Sequence, residues 1–487
     1  MVGLINLETA MPSTLLRHCL ALSLAMPLAL PAMAAVLPGK DCHLPGTEET
    51  LRCIRMAVPA DHRQPGATLP LHVVVAPALR ESARRDPLFL LAGGPGEAGS
   101  DMVPMLNTVF RKVRATRDVV LIDQRGTGLS GKLDCKTSKD VEATTDEELL
   151  AQAHACIKSL NKSFALYTTE QAARDIETVR RHLGYERINL WGGSYGTRLA
   201  QVYARLYPGS VRALVLDGVA SPDQVVPAGG RDAQSALDAL FAQCADDKVC
   251  AGAFPNLRME FNALVARLAK APQPLHLPDP RTAEMRKLDM TSTRFLGTVH
   301  NILYSQADSR RLPFLIHSAY QDRWQPFIAR SNVARDFASD AGPAMPLHLA
   351  VVCAEDFPRL TPELLAEDTR NSFLGPPQIL RVGKMCESMA VPAVPYVKPA
   401  LIQAPALLLS GALDPVTPPR RAEAARKYMS NAQHLVVKNG GHIISPLGCA
   451  PRLLRTFLDQ PTVPLKADCL GDIPAPTFQL NSAGPQP

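Results

Sequence analysis

The chain has 487 residues, 46% of them hydrophobic, enough to bury one large core or two smaller ones and too apolar for an intrinsically disordered protein. Its 52 basic and 46 acidic residues leave a formal charge of +6 with no long block of one sign, which excludes a nucleic-acid stripe and a polybasic membrane anchor. None of the 11 cysteines has zinc-ligand spacing with histidine, so no metal and no other cofactor is expected.

At the N-terminus Arg17 and His18 precede an apolar stretch over 19–30, followed by Ala32-Met33-Ala34-Ala35. This is the charged, apolar and small-residue order of a secretory signal, with cleavage after Ala34 or Ala35, so 1–35 is set aside from the fold. Read instead as a buried helix or a membrane anchor, the stretch is broken by Pro27 and Pro31 and is short for a span. Export to the periplasm or the extracellular space is therefore expected, with no membrane attachment after cleavage. With Cys19 in the signal, the even number of cysteines that remains suits an oxidised protein. Chain neighbours would pair as Cys42 with Cys53, Cys135 with Cys156, Cys244 with Cys250, Cys353 with Cys386 and Cys449 with Cys469, one of many connectivities the sequence allows.

Short apolar runs bounded by turn residues predict buried strands at 71–75, 87–92 and 118–122. Ala173, Ile176, Val179 and Leu183 recur at helical spacing before Gly184, and a strand at 188–191 follows. A helix through Leu199, Val202, Tyr203 and Leu206 and a strand at 211–216 continue the alternation, which implies a parallel sheet covered on both faces. Over 221–400 helical patterns punctuated by proline predict a helical cap insertion. Strand and helix order resumes at 406–410, 419–427, 434–437 and 452–458. The expected organisation is a first core part at 36–220, the cap at 221–400, a second core part at 401–475 and a disordered tail at 476–487.

Gly192-x-Ser194-x-Gly196 closes the strand at 188–191 and opens a helix, the context of a nucleophile elbow. Asp414 follows the strand at 406–410, and His442 follows the strand ending at 437, giving the chain order Ser, Asp, His. A hydroxyl is a poor nucleophile at neutral pH; it needs an imidazole to take its proton and a carboxylate to fix that imidazole's tautomer. Gly93-Gly94-Pro95-Gly96 follows the strand at 87–92, so the amides of Gly94 and Tyr195 are the expected oxyanion donors. Arg125 is read as structural, bound to loop carbonyls.

Leu91-Ala-Gly-Gly-Pro-Gly, Asp123-Gln-Arg-Gly-Thr-Gly-Leu-Ser, Tyr167-Thr-Thr, Gly193-Ser-Tyr-Gly-Thr and Leu216-Asp-Gly-Val together resemble α/β-hydrolase peptidases of the proline iminopeptidase and tripeptidyl aminopeptidase family. The resemblance covers about residues 50 to 475 and is weakest in the cap. It implies the α/β-hydrolase fold and removal of residues from the free N-terminus of peptides through an acyl-enzyme. Ser194 would be the nucleophile, His442 the base and Asp414 the orienting carboxylate. Cys353-Ala-Glu355-Asp356 lies where family members place an acid that captures the substrate's ammonium, which makes Glu355 the first candidate and Asp356 the second. Proline-specific members carry histidine before Gly-Gly-Pro-Gly; this chain has Ala92, which brings it nearer the secreted tripeptidyl type. A carboxylesterase or lipase, or a silent binding protein on the same scaffold, are the competing readings.

Overall fold

The computed structural model describes residues 38–485 apart from 81–83, 136–145, 280–281 and 337–341. The expected signal peptide, 1–35, lies outside the described residues. The strands in chain order are β1 (Lys40–Cys42), β2 (Leu51–Asp61), β3 (Gln64–Ala76), β4 (Arg84–Leu91), β5 (Arg117–Asp123), β6 (Ile188–Gly193) and β7 (Val211–Asp217). They continue as β8 (Gln273–Pro278), β9 (Met285–Met290), β10 (Ala406–Gly411), β11 (Ala432–Val437), β12 (Gln479–Asn481) and β13 (Gly484–Pro485).

Nine of these form one sheet in the order β1-β2-β3-β5-β4-β6-β7-β10-β11. The first three are antiparallel and meet β5 antiparallel, whereas every pairing from β5 through β4, β6, β7 and β10 to β11 is parallel. The parallel strands read as continuous apolar runs because helices cover both faces of the sheet. One face packs Leu88, Leu90, Val119, Leu121, Trp191, Val215, Leu407 and Leu409 against Phe110 and Phe457. All seven strands expected from apolar runs coincide with members of this sheet. Because successive parallel strands point the same way, their carboxyl ends share one rim, where α/β sheets place their sites.

Between β7 and β10, over the segment expected to form the cap, the chain is mainly helical. The helices Gly230–Asp246, Leu257–Lys270, Ser292–Leu303 and Leu312–Tyr320 pack around Phe261, Phe295, Trp324 and Phe327 in a core of their own. The antiparallel hairpin β8–β9 is an addition to the helical expectation, and two prolines in Gln273–Pro278 hide its alternation. The tail differs from its expected disorder: β12 pairs with β13, Phe478 is buried against the cap core, and Gln479 N donates to Arg310 O. Five disulfides join the cysteine pairs expected as chain neighbours. Among the described residues, no helix is long and apolar enough to cross a membrane.

Candidate active site

Ser194 stands at the end of β6 with φ 53° and ψ −122°, a backbone region that non-glycine residues rarely enter, and the helix Tyr195–Leu206 starts immediately after it. The turn is held by Ser194 N donating to Asp217 O at 2.9 Å and Thr197 N donating to Ser194 O at 2.9 Å. A side chain on Gly192 would collide with Gly196 O, and one on Gly196 with Leu91 O, so only glycine at both flanks permits this crossing. Strain of this kind costs on the order of 1–3 kcal/mol and persists where the surrounding structure enforces it.

Two rim positions further along the sheet lies the expected acid–base pair. His442 Nδ1 and Asp414 Oδ2 are 2.9 Å apart. The other carboxylate oxygen accepts Val416 N at 2.9 Å and Thr417 N at 2.8 Å, and Thr417 Oγ1 donates to Oδ2 at 2.7 Å. An ionised carboxylate only accepts, so Nδ1 carries the ring proton and Nε2 is the basic nitrogen. Burial draws the His442 pKa down, but the Asp414 charge outweighs it and the net shift is upward. Asp217, at the end of β7, braces the loop by accepting Ile444 N at 2.9 Å and Ser445 N at 2.7 Å. Its own carboxyl is pushed up to about 6 by burial.

The imidazole and the elbow both border the end of β7. Asp217 supplies the carbonyl that holds Ser194 N, and a methyl built on the next residue, Gly218, would lie 3.2 Å from His442 Cε1, the carbon bonded to Nε2. From the cap, Tyr304 O accepts His442 N at 3.0 Å, and the Tyr304 ring packs edge-on against the imidazole with centroids 5.0 Å apart.

The loop after β4 abuts the elbow from the other side: a methyl on Gly93 would lie 3.2 Å from Ser194 Cβ. Gly93 N is taken by Glu97 Oε2 at 3.0 Å, whereas Gly94, with φ +104°, is open to solvent beside it. Tyr195 N opens the helix Tyr195–Leu206, whose aligned peptide dipoles favour negative charge at that end. The cap clamps this loop, since Ala344 N donates to Gly96 O at 2.8 Å and His348 bonds the backbone of Pro95 and Gly94.

The two acids expected to meet an ammonium are placed differently. Glu355, half-buried, accepts Thr169 N at 2.6 Å and Thr169 Oγ1 at 2.7 Å, and Thr169 Oγ1 also bonds the Tyr195 hydroxyl at 2.9 Å. Burial lifts its carboxyl above the usual range, against the pull of Arg198 and Thr169. Asp356 is a correction: wholly buried, it is neutralised by Arg198 at 2.8 Å and Arg359 at 2.8 Å, which leaves it no charge to offer a ligand.

Arg125 is structural as expected, because its guanidinium is saturated by both Asp175 oxygens and by the carbonyls of Pro59, Ala60 and Leu166. The sequence reading missed Thr417, Glu97, Tyr304 and His348. Glu97 directly follows the quoted glycine motif and was the most findable; Tyr304 and His348 lie in the weakly patterned cap. A second Ser–His–carboxylate file runs from Ser410 through His434 to Glu423, at 2.9 Å and 2.6 Å. Ser410 is fully buried inside β10, with no elbow to present it, so hydrogen-bond order alone does not make a nucleophile.

The family model described as "alpha/beta hydrolase fold" matches residues 86–448. The chain is 27% identical over 405 residues to serine protease Hip1 of Mycobacterium tuberculosis, covering 75% of this chain and 76% of that protein. It is 30% identical over 204 residues to tripeptidyl aminopeptidase of Streptomyces coelicolor, covering 38% of this chain and 37% of the relative. To a probable proline iminopeptidase of the same organism it is 35% identical over 135 residues, 28% of this chain and 33% of the relative.

Proposed function

Because this chain belongs to the α/β-hydrolase family, we propose that it is an exported serine exopeptidase that releases residues from the free N-terminus of peptides through an acyl-enzyme. What supports the reading is an enforced turn at Ser194 and a carboxylate-held imidazole at His442, whose loops are both bonded to Asp217 at the end of β7. The peptidase relatives and the five disulfides support the substrate class and the compartment.

In this reading His442 Nε2 takes the proton of Ser194 as the hydroxyl attacks the scissile carbonyl. Asp414 stabilises the imidazolium that results, and Thr417 keeps the carboxylate in place. The amides of Gly94 and Tyr195 receive the oxyanion; each such donor is worth about 10² to 10³ in rate. His442 then protonates the departing amine, and water repeats the sequence to free the acyl group. Glu355 supplies the negative charge for the substrate ammonium, since a cation entering a closed cleft is costly unless paired.

Covalent labelling by a fluorophosphonate is expected on the intact protein and is lost in Ser194→Ala. Persistent labelling of that variant would sink the assignment. Products from a ladder of unblocked peptides, with and without proline near the N-terminus, then give the length released. Turnover confined to acyl esters would make the protein an esterase.

A further inference from the structure

Glu97 is the residue of the catalytic centre that the proposed mechanism leaves unused. It hangs from the loop after β4, with its N donating to Gly93 O at 3.3 Å and its Oε2 accepting Gly93 N at 3.0 Å. A methyl built on Gly93 would sit 2.9 Å from Glu97 Oε2 and 3.2 Å from Ser194 Cβ, so carboxylate and nucleophile flank the same point. Glu97 is exposed although Ala92, Gly93, Pro95, Gly96 and Ala98 around it are buried. Its charge is felt at His442 and Tyr304, and Asp101 adds a second negative charge nearby.

Among the described residues no lysine or arginine forms an ion pair with Glu97. Asp356 has two arginines, and both oxygens of Glu355 are already engaged by Thr169. A carboxylate crowded by protein yet exposed, with no lysine or arginine paired to it, can take a cation from the ligand. Its position beside the oxyanion loop limits which one. The α-ammonium of the residue being acylated lies two bonds from the scissile carbonyl carbon, ~2.5 Å, whereas ammonium groups two residues further out are more than ~7 Å away in an extended chain.

We propose that Glu97 binds the α-ammonium of a single N-terminal residue whose carbonyl Ser194 attacks, and so favours release of one residue over release of three. This deepens the exopeptidase reading and rests on it; Glu355 then serves acyl groups long enough to reach it.

The test compares Glu97→Gln with the wild-type full chain on an unblocked aminoacyl anilide, an unblocked tripeptidyl anilide and the N-acetylated aminoacyl ester. Glutamine keeps the acceptor for Gly93 N and removes only the charge. The expected result is a fall of at least tenfold in the ratio of kcat/KM for the aminoacyl anilide to that for the acetylated ester, carried by KM. The tripeptidyl-to-ester ratio stays within about twofold, while Glu355→Gln lowers that second ratio. Equal losses on all three substrates in Glu97→Gln would overturn the proposal and make Glu97 a brace for the oxyanion loop; so would unchanged ratios. If wild type cleaves the acetylated ester and neither anilide, the exopeptidase reading itself fails, and Glu97 goes with it.

Discussion

At the scale of single residues, Thr417 shows how much of the acid–base pair rests on a neighbour. Its hydroxyl donates to the same Asp414 oxygen that receives His442. Hydrogen bonds to charged groups contribute about 1.5–3 kcal/mol, so Thr417→Val is expected to lower kcat/KM by roughly ten- to hundredfold, measured by steady-state kinetics with Tm unchanged within a few degrees. The pH profile follows from the raised pKa of His442. The imidazole must be neutral to accept a proton, and a raised pKa keeps it charged to higher pH. The acid limb of kcat/KM is therefore expected to have its midpoint above the ordinary value of 6.5, and Asp414→Asn to shift it downward with a rate loss on the order of 10⁴. The strained turn at Ser194 and the pairing of Asp414 with His442 were legible because few residue types suit such positions at strand ends. Thr417 was not, since a threonine between prolines reads as ordinary turn chemistry.

At the scale of elements, the short helix Met345–Val351 and the π-helical turn after it join the segment bearing Glu355 to the loop after β4. Ala344, just before the helix, clamps Gly96 and the helix's histidine bonds the backbone of Pro95 and Gly94, while Val352–Asp356 carries Glu355. His348→Ala is expected to lower kcat by tenfold or more, to slow fluorophosphonate labelling in parallel, and to leave KM for an acetylated ester nearly unchanged. A KM effect alone would assign His348 to the substrate pocket instead. The core strands were legible because burial on both faces leaves continuous apolar runs, and the elbow because two glycines cannot be replaced there. The cap was legible only as helical. Its contacts to the site come from single side chains and carbonyls, Tyr304 O among them, and a backbone carbonyl leaves no mark in a sequence.

At the scale of the whole molecule, the disulfide Cys353–Cys386 fastens the turn bearing Glu355 to the helix Pro376–Met389. Closing a loop of this length restrains the unfolded chain by about 3–4 kcal/mol. The double variant Cys353→Ser/Cys386→Ser is expected to lose several degrees of Tm in calorimetry and to show a raised KM for unblocked peptides relative to a blocked ester. Retention of both values would mean that packing alone holds the turn. A further consequence lies in the bond from His442 N to Tyr304 O. The backbone of His442 is thereby tied to the insertion, so any displacement of Tyr304 that breaks this bond also frees the loop carrying the imidazole.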